Sequence, residues 1–172
     1  GDRGILRNDS ARFAVTDTQI SGDQFLHIGR MLNGTVRVGD SLHAEVDSTI
    51  RDQTRANHSA THLLHAALRE ILGEHVQQKG SLVNGDKLRF DFTHTGAIGA
   101  AELQQIEQRV NGQIRFNSNV DTELLSYDDA VQRGAIALFG EKYGDRVRVL
   151  TMGNGYSMEL CGGTHVNRTG DI

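Results

Sequence analysis

Two short pairs of metal-ligand side chains, His58 with His62 and Cys161 with His165, stand about a hundred residues apart in this chain. Three residues separate the members of each pair. On a helix that spacing places both side chains on one face, a turn apart, where they can grip one ion together. Three imidazoles and a thiolate make a ligand set suited to Zn²⁺. If one ion takes all four, the fold must carry the start of its main domain against its end.

Each pair has a plainer reading. His-x-x-x-His arises by chance on helices, and a lone cysteine is usually a small buried hydrophobe. The repeated spacing favours a shared ion, as does Gly162-Gly163, which lets the backbone pass close to an ion or ligand. Four protein ligands satisfy a closed structural site, whereas a catalytic site keeps a position open. The residues alone leave both roles standing.

Length and composition set the frame. At 172 residues the chain holds one ordinary domain or two small ones. Hydrophobic residues at 37% and charged residues at 23% describe a folded globular protein. One cysteine excludes an internal disulfide and fits a reducing, cytoplasmic setting. No apolar run approaches a membrane span, and no signal peptide is visible. The opening Gly1-Asp2-Arg3-Gly4, without an initiator Met, reads as an excised segment of something longer. A net charge of −4 argues against general non-specific nucleic-acid binding. It leaves room for a local basic strip, and Arg51, Arg55, Arg69, Lys79, Lys87 and Arg89 gather around the first ligand pair.

The hydrophobic pattern divides the chain near residue 48. Arg12 to Ile20, Gln24 to Met31 and Ser41 to Val46 carry strand-like positions between turn signals, which predicts a small β-barrel over 1–48. From there Ala60, Leu63, Leu64, Ala67, Leu68, Ile71 and Leu72 recur at helical spacing up to Gly73. His58, Thr61, His62, His65 and Arg69 form an adjacent stripe of that helix. Asn84-Gly85 signals a hairpin between Ser81-Leu82-Val83 and Leu88 to Phe92. Leu103, Ile106 and Val110 mark a second helix stopping near Gly112, followed by a strand over Val120 to Leu125 and a short helix over Asp128 to Gln132. Arg146 to Met152 and Tyr156 to Leu160 form a hairpin that leads into Cys161. The fold class is α+β, with a sandwich-like domain over 49–172 whose sheet is mainly antiparallel.

Read in order, four stretches resemble one family. They are Asn57 to His65 (NHSATHLLH), His75 to Val83 (HVQQKGSLV), Leu88 to Phe92 (LRFDF) and Cys161 to Val166 (CGGTHV). Together they closely resemble the editing domain of alanyl-tRNA synthetase, across nearly the whole chain. Related domains occur in threonyl-tRNA synthetase and in free-standing editing proteins, but the Gln78-Lys79-Gly80-Ser81 and Cys161-Gly162-Gly163 forms are most similar to the alanine enzyme.

The resemblance implies hydrolysis of the ester joining serine or glycine to tRNA for alanine. By the same likeness His58, His62, Cys161 and His165 hold zinc, while Thr61 and Gln78 line the pocket for the aminoacyl end. The partners it implies are that acceptor end and the remainder of the synthetase chain, with no membrane. A pocket built for alanine cannot strongly reject a side chain that merely adds a hydroxyl, so a second site must separate serine from alanine. Thr61 and Gln78 supply the donors and acceptors to do so. The backbone amides of Gly162 and Gly163 are expected to stabilise the oxyanion. The competing reading is an RNA-binding module with a structural zinc and no chemistry. His65 is expected behind the ligands or at the surface.

Overall fold

The computed structural model describes residues 1–137 and 143–172. It separates into two compact units, Gly1–Gln53 and Thr54–Ile172.

The first unit is an antiparallel sheet of β1 (Gly4–Arg7), β2 (Arg12–Ser21), β3 (Gln24–Asn33) and β4 (His43–Val46), in the order β3-β2-β1-β4. The predicted barrel is absent among the described residues: β3 and β4 are the two edges of an open sheet, unpaired with one another. The physical reason lies in strand number and length. β1 and β4 are four residues each against ten in β2 and β3, so four strands of these lengths do not wrap into a cylinder. β1, unforeseen in the sequence, lines up with β2 and β4 at once.

A long helix, α1 (Ser48–Leu72), follows. The Asp47 side chain accepts from the Ile50 N–H at 3.1 Å and its carbonyl receives the first helical bond from Arg51, so Asp47 is the cap. Gly73 ends the helix at φ +118°, a conformation that suits glycine.

The second unit adds β5 (Gln78–Val83), β6 (Leu88–Phe92), α2 (Ala100–Phe116), β7 (Val120–Ser126), α3 (Tyr127–Gln132), β8 (Arg146–Met152) and β9 (Ser157–Leu160). β5 and β6 form one hairpin, and β7-β8-β9 a second sheet; every strand ladder is antiparallel, so the fold is α+β. In the first hairpin the Asn84 side chain accepts from the N–H groups of Asp86 and Lys87, both at 2.9 Å, and closes the turn. α2 runs a full turn past Gly112. One glycine costs only about 1 kcal/mol in a helix, and Val110 and Ile114 continue the apolar stripe onto the core.

β8 is the central strand, and its two faces serve different layers. Val147 and Val149 pack with Ala130 and Leu160, whereas Leu150 and Met152 pack with Leu63 of α1. Leu63 is fully buried there. That contact sets α1 against the second face of the sheet. An adjoining stripe of α1 meets the hairpin and α2 through Ala67, Leu68, Phe90, Phe92 and Ile106.

Candidate metal centre

Strand register decides what faces α1. Leu150 lies directly across from Glu159, and Met152 from Ser157. Cross-strand partners share a face, so Ser157 and Glu159 point the same way as the two residues that receive Leu63. The Cys161 N–H donates to the Arg148 carbonyl at 3.0 Å, extending the same ladder one pair further. Glu159 and Cys161 therefore meet the stripe of α1 that carries His58, His62 and His65.

The chain between Cys161 and His165 is not helical. It turns through the diglycine and is tied to α1 by Ser59, whose hydroxyl oxygen receives the Val166 N–H at 3.2 Å and lies 3.3 Å from His165 Nδ1. Gly163 permits a close approach: a Cβ there would fall 2.1 Å from Cε1 of His58. Its N–H donates to Cys161 Sγ at 3.4 Å. Gly162 is exposed and meets no atom within 4 Å of where a Cβ would stand.

His58, His62, Cys161 and His165 each offer one ligand atom, all within 4.8 Å of one another. Cys161 Sγ lies 3.3 Å from His165 Nε2 and 3.7 Å from His58 Nε2. Nitrogen and sulfur bound tetrahedrally to an ion of zinc's size stand about 3.6 Å apart, so these spacings suit a shared ion. His62 Nε2 is buried and makes no hydrogen bond, an unsatisfied nitrogen at the point where an ion would satisfy it.

The outer nitrogens are already committed. His62 Nδ1 lies 2.9 Å from Glu159 Oε2, and His65 Nδ1 lies 3.0 Å from Oε1 of the same carboxylate. A carboxylate between two imidazoles accepts from both, which fixes a proton of each ring on Nδ1, so that in the neutral ring Nε2 is the acceptor or ligand. Glu159 is 2% exposed. Burial alone would raise its pKa, but the hydrogen bonds from His62 and His65 outweigh it and hold the carboxyl down at about 2. For Cys161, burial also opposes the charge, and the neighbouring His165, His58 and His62 outweigh it, holding the thiol at about 3. Burial disfavours the charged form of His62; Cys161 and Glu159 reverse this and push it up to about 10 in the metal-free state. Burial depresses His165. The thiol is thus ionised before any metal arrives, which favours binding, whereas His62 must release a proton to bind it.

The remaining expectations fall nearby. Thr61 is buried and donates its hydroxyl proton to the Asn57 carbonyl at 2.8 Å, which leaves its oxygen free to accept. Gln78 and His65 line one cavity of about 300 Å³ with Gln77, Val76 and Ile136. His65 is buried, not at the surface. His75 and His94 lie apart, bonded to each other at 3.0 Å. The residue missed in the sequence is Glu159. Its signal was the strand alternation that puts Ser157, Glu159 and Cys161 on one face.

Fold and site define an α+β domain whose two distant segments bring together a three-histidine, one-cysteine group that could hold a metal ion. Residues 147–172, which include Cys161 and His165, match the second additional domain of threonyl and alanyl tRNA synthetases. The whole chain is 61% identical to an alanine–tRNA ligase of Saccharophagus degradans, 58% to one of Nitrosococcus oceani and 56% to one of Pseudomonas syringae pv. syringae. It spans about a fifth of the length of each of these relatives. The chain belongs to the alanyl-tRNA synthetase family and corresponds to its editing region.

Proposed function

We propose that this chain hydrolyses the ester that joins serine or glycine to tRNA for alanine, around a zinc ion held by His58, His62, Cys161 and His165. The observation that carries the reading is the convergence of these four side chains, with Glu159 and Ser59 ordering their outer nitrogens, in a chain matched throughout to alanine–tRNA ligases. Three imidazoles and a thiolate are a ligand set suited to zinc. When bound, the ion would act as a Lewis acid, fixing the substrate's amino group or lowering the pKa of a water.

The chain's own residues do the rest. Thr61, with its proton engaged by Asn57, presents an acceptor oxygen beside His62. Gln78, whose amide is only loosely tied to Ser81 at 3.4 Å, can turn its donor or acceptor toward the aminoacyl group. The Gly163 N–H stabilises the Cys161 thiolate, so the oxyanion would be met from the open backbone of Gly162. Positioning and oxyanion stabilisation suffice for ester cleavage, which is not intrinsically difficult. The partners are the tRNA acceptor end and the rest of the synthetase, in the cytoplasm; no helix among the described residues is long and apolar enough to cross a membrane.

Four protein ligands also complete a tetrahedron, which favours a second reading, an RNA-binding module with a structural zinc. Incubation with Ser-tRNA, Gly-tRNA and Ala-tRNA of the alanine isoacceptor, with and without a chelator, separates the two. The deacylase reading expects metal-dependent loss of the seryl and glycyl esters with the alanyl ester spared. Binding of tRNA with no ester cleaved above the buffer rate establishes the non-catalytic module.

A further inference from the structure

His65 holds a buried polar atom that the ligand set does not use. The residue is 1% exposed, its Nδ1 is bound to Glu159 at 3.0 Å, and its Nε2 is buried without a hydrogen-bond partner. An unpaired buried nitrogen of this kind is costly unless something satisfies it. The side chain lines the cavity of about 300 Å³ that also contains Gln78. Such a space accommodates a small polar ligand.

The tautomer determines what ligand. Because the Glu159 carboxylate can only accept, His65 carries its proton on Nδ1, and Nε2 offers a lone pair. Arg69, the other basic residue of this wall, has one guanidinium nitrogen committed within the same lining, donating to the carbonyls of Glu74 at 2.6 Å and Val76 at 2.8 Å. The cavity is thus lined by the His65 ring, whose Nε2 lone pair is itself shielded from solvent, and by an adaptable amide at Gln78.

We propose that His65 is a substrate-recognition residue whose Nε2 accepts a hydrogen bond from an alcohol of the aminoacyl-nucleoside end, beside Gln78. The assignment rests on the deacylase reading above. Two alcohols are available there, the serine side chain and the ribose hydroxyl next to the ester. Alanine and glycine lack the first, so His65 would contribute to discrimination if serine is its partner, and to general substrate binding if the ribose is.

The test uses non-hydrolysable amide analogues, 3′-seryl-amino and 3′-glycyl-amino adenosine, titrated calorimetrically into zinc-loaded protein. His65→Leu removes the acceptor, and His65→Gln restores both a donor toward Glu159 and an acceptor toward the ligand. A roughly tenfold loss of seryl-analogue affinity in His65→Leu, with the glycyl analogue unaffected and His65→Gln partly restored, identifies the serine hydroxyl. Equal losses on both analogues that vanish when the ribose hydroxyl is removed identify the ribose. Zinc content measured alongside must stay at that of the unmodified chain. Nitrogen-15 NMR of His65 is expected to show the Nδ1–H tautomer, with Nε2 shifting on addition of the analogue. Unchanged affinities in His65→Leu, or losses that follow loss of zinc, overturn the His65 assignment alone. Unmodified protein that binds neither analogue and cleaves no ester overturns the deacylase reading and the assignment with it.

Discussion

Replacing Glu159 with Gln tests the electrostatic core of the site while changing almost no volume. The carboxylate accepts from His62 Nδ1 at 2.9 Å and from His65 Nδ1 at 3.0 Å, one oxygen for each ring. An amide has one oxygen, so it satisfies only one of them, and its NH₂ must face the other ring as a donor. If the NH₂ faces His62, that ring's proton must move to Nε2, the atom needed for the ion. If it faces His65, the same shift occurs there and His62 keeps a weaker, neutral acceptor. Both outcomes reduce the basicity or the tautomer population of a metal ligand. Losing such an outer partner typically costs 10–100-fold in metal affinity, about 1.4–2.7 kcal/mol. The assay is competition for zinc against a chromophoric chelator, with the unmodified protein and Glu159→Gln titrated in parallel. A zinc affinity within twofold of the unmodified protein would refute the argument that Glu159 orients His62.

Gly163→Ala is expected to abolish stoichiometric zinc binding, because its Cβ would overlap the His58 ring, 2.1 Å from Cε1 and 2.6 Å from Nδ1; zinc per chain by atomic emission checks it. Leu63→Ala empties a fully buried site against Leu150 and Met152 and should cost about 2–5 kcal/mol in urea unfolding. Chelation should lower the melting temperature of the unmodified protein and leave Cys161→Ala, already short of a ligand, much less affected. In the chelated protein, Glu159 and Cys161 titrate below their ordinary values of 4.5 and 9.0. Their stabilisation is present above those values and is lost as pH falls toward about 2 and about 3, respectively. His62, raised from 6.5 to about 10, contributes in the opposite sense: its stabilisation is full below 6.5 and lost as pH rises toward 10. Between roughly pH 6.5 and 9 the cysteine and histidine effects offset each other, so denaturation midpoints should be nearly flat there and fall steadily on acidification below 6.5. A midpoint independent of pH from 6.5 to 4 would contradict these assignments.

The division between sequence and tertiary structure runs through particular residues. Local rules were sufficient for α1, whose apolar period and terminal Gly73 are legible without a partner, and for the two hairpins at Asn84-Gly85 and Gly153-Asn154-Gly155. Turn chemistry and periodicity act over a few residues, so a linear reading captures them. The helical spacing of His58 and His62 was equally visible, and it places both on one stripe of α1. The barrel expected over 1–48 is an open sheet instead, because closure depends on strand lengths and edge pairing that no single strand encodes. Glu159 was hidden for a related reason: in the sequence it is one charge in a short strand, and its burial follows from register with Leu150 and from α1 docking through Leu63. By itself the sequence determined the ligand types, their local spacing and the helix that carries half of them. Only the tertiary structure decided that the two pairs meet, that one buried carboxylate fixes the tautomers of His62 and His65, and that the Gly163 N–H is committed to the Cys161 thiolate. Those are consequences of packing across about a hundred residues, where distance in the chain carries no information about distance in space.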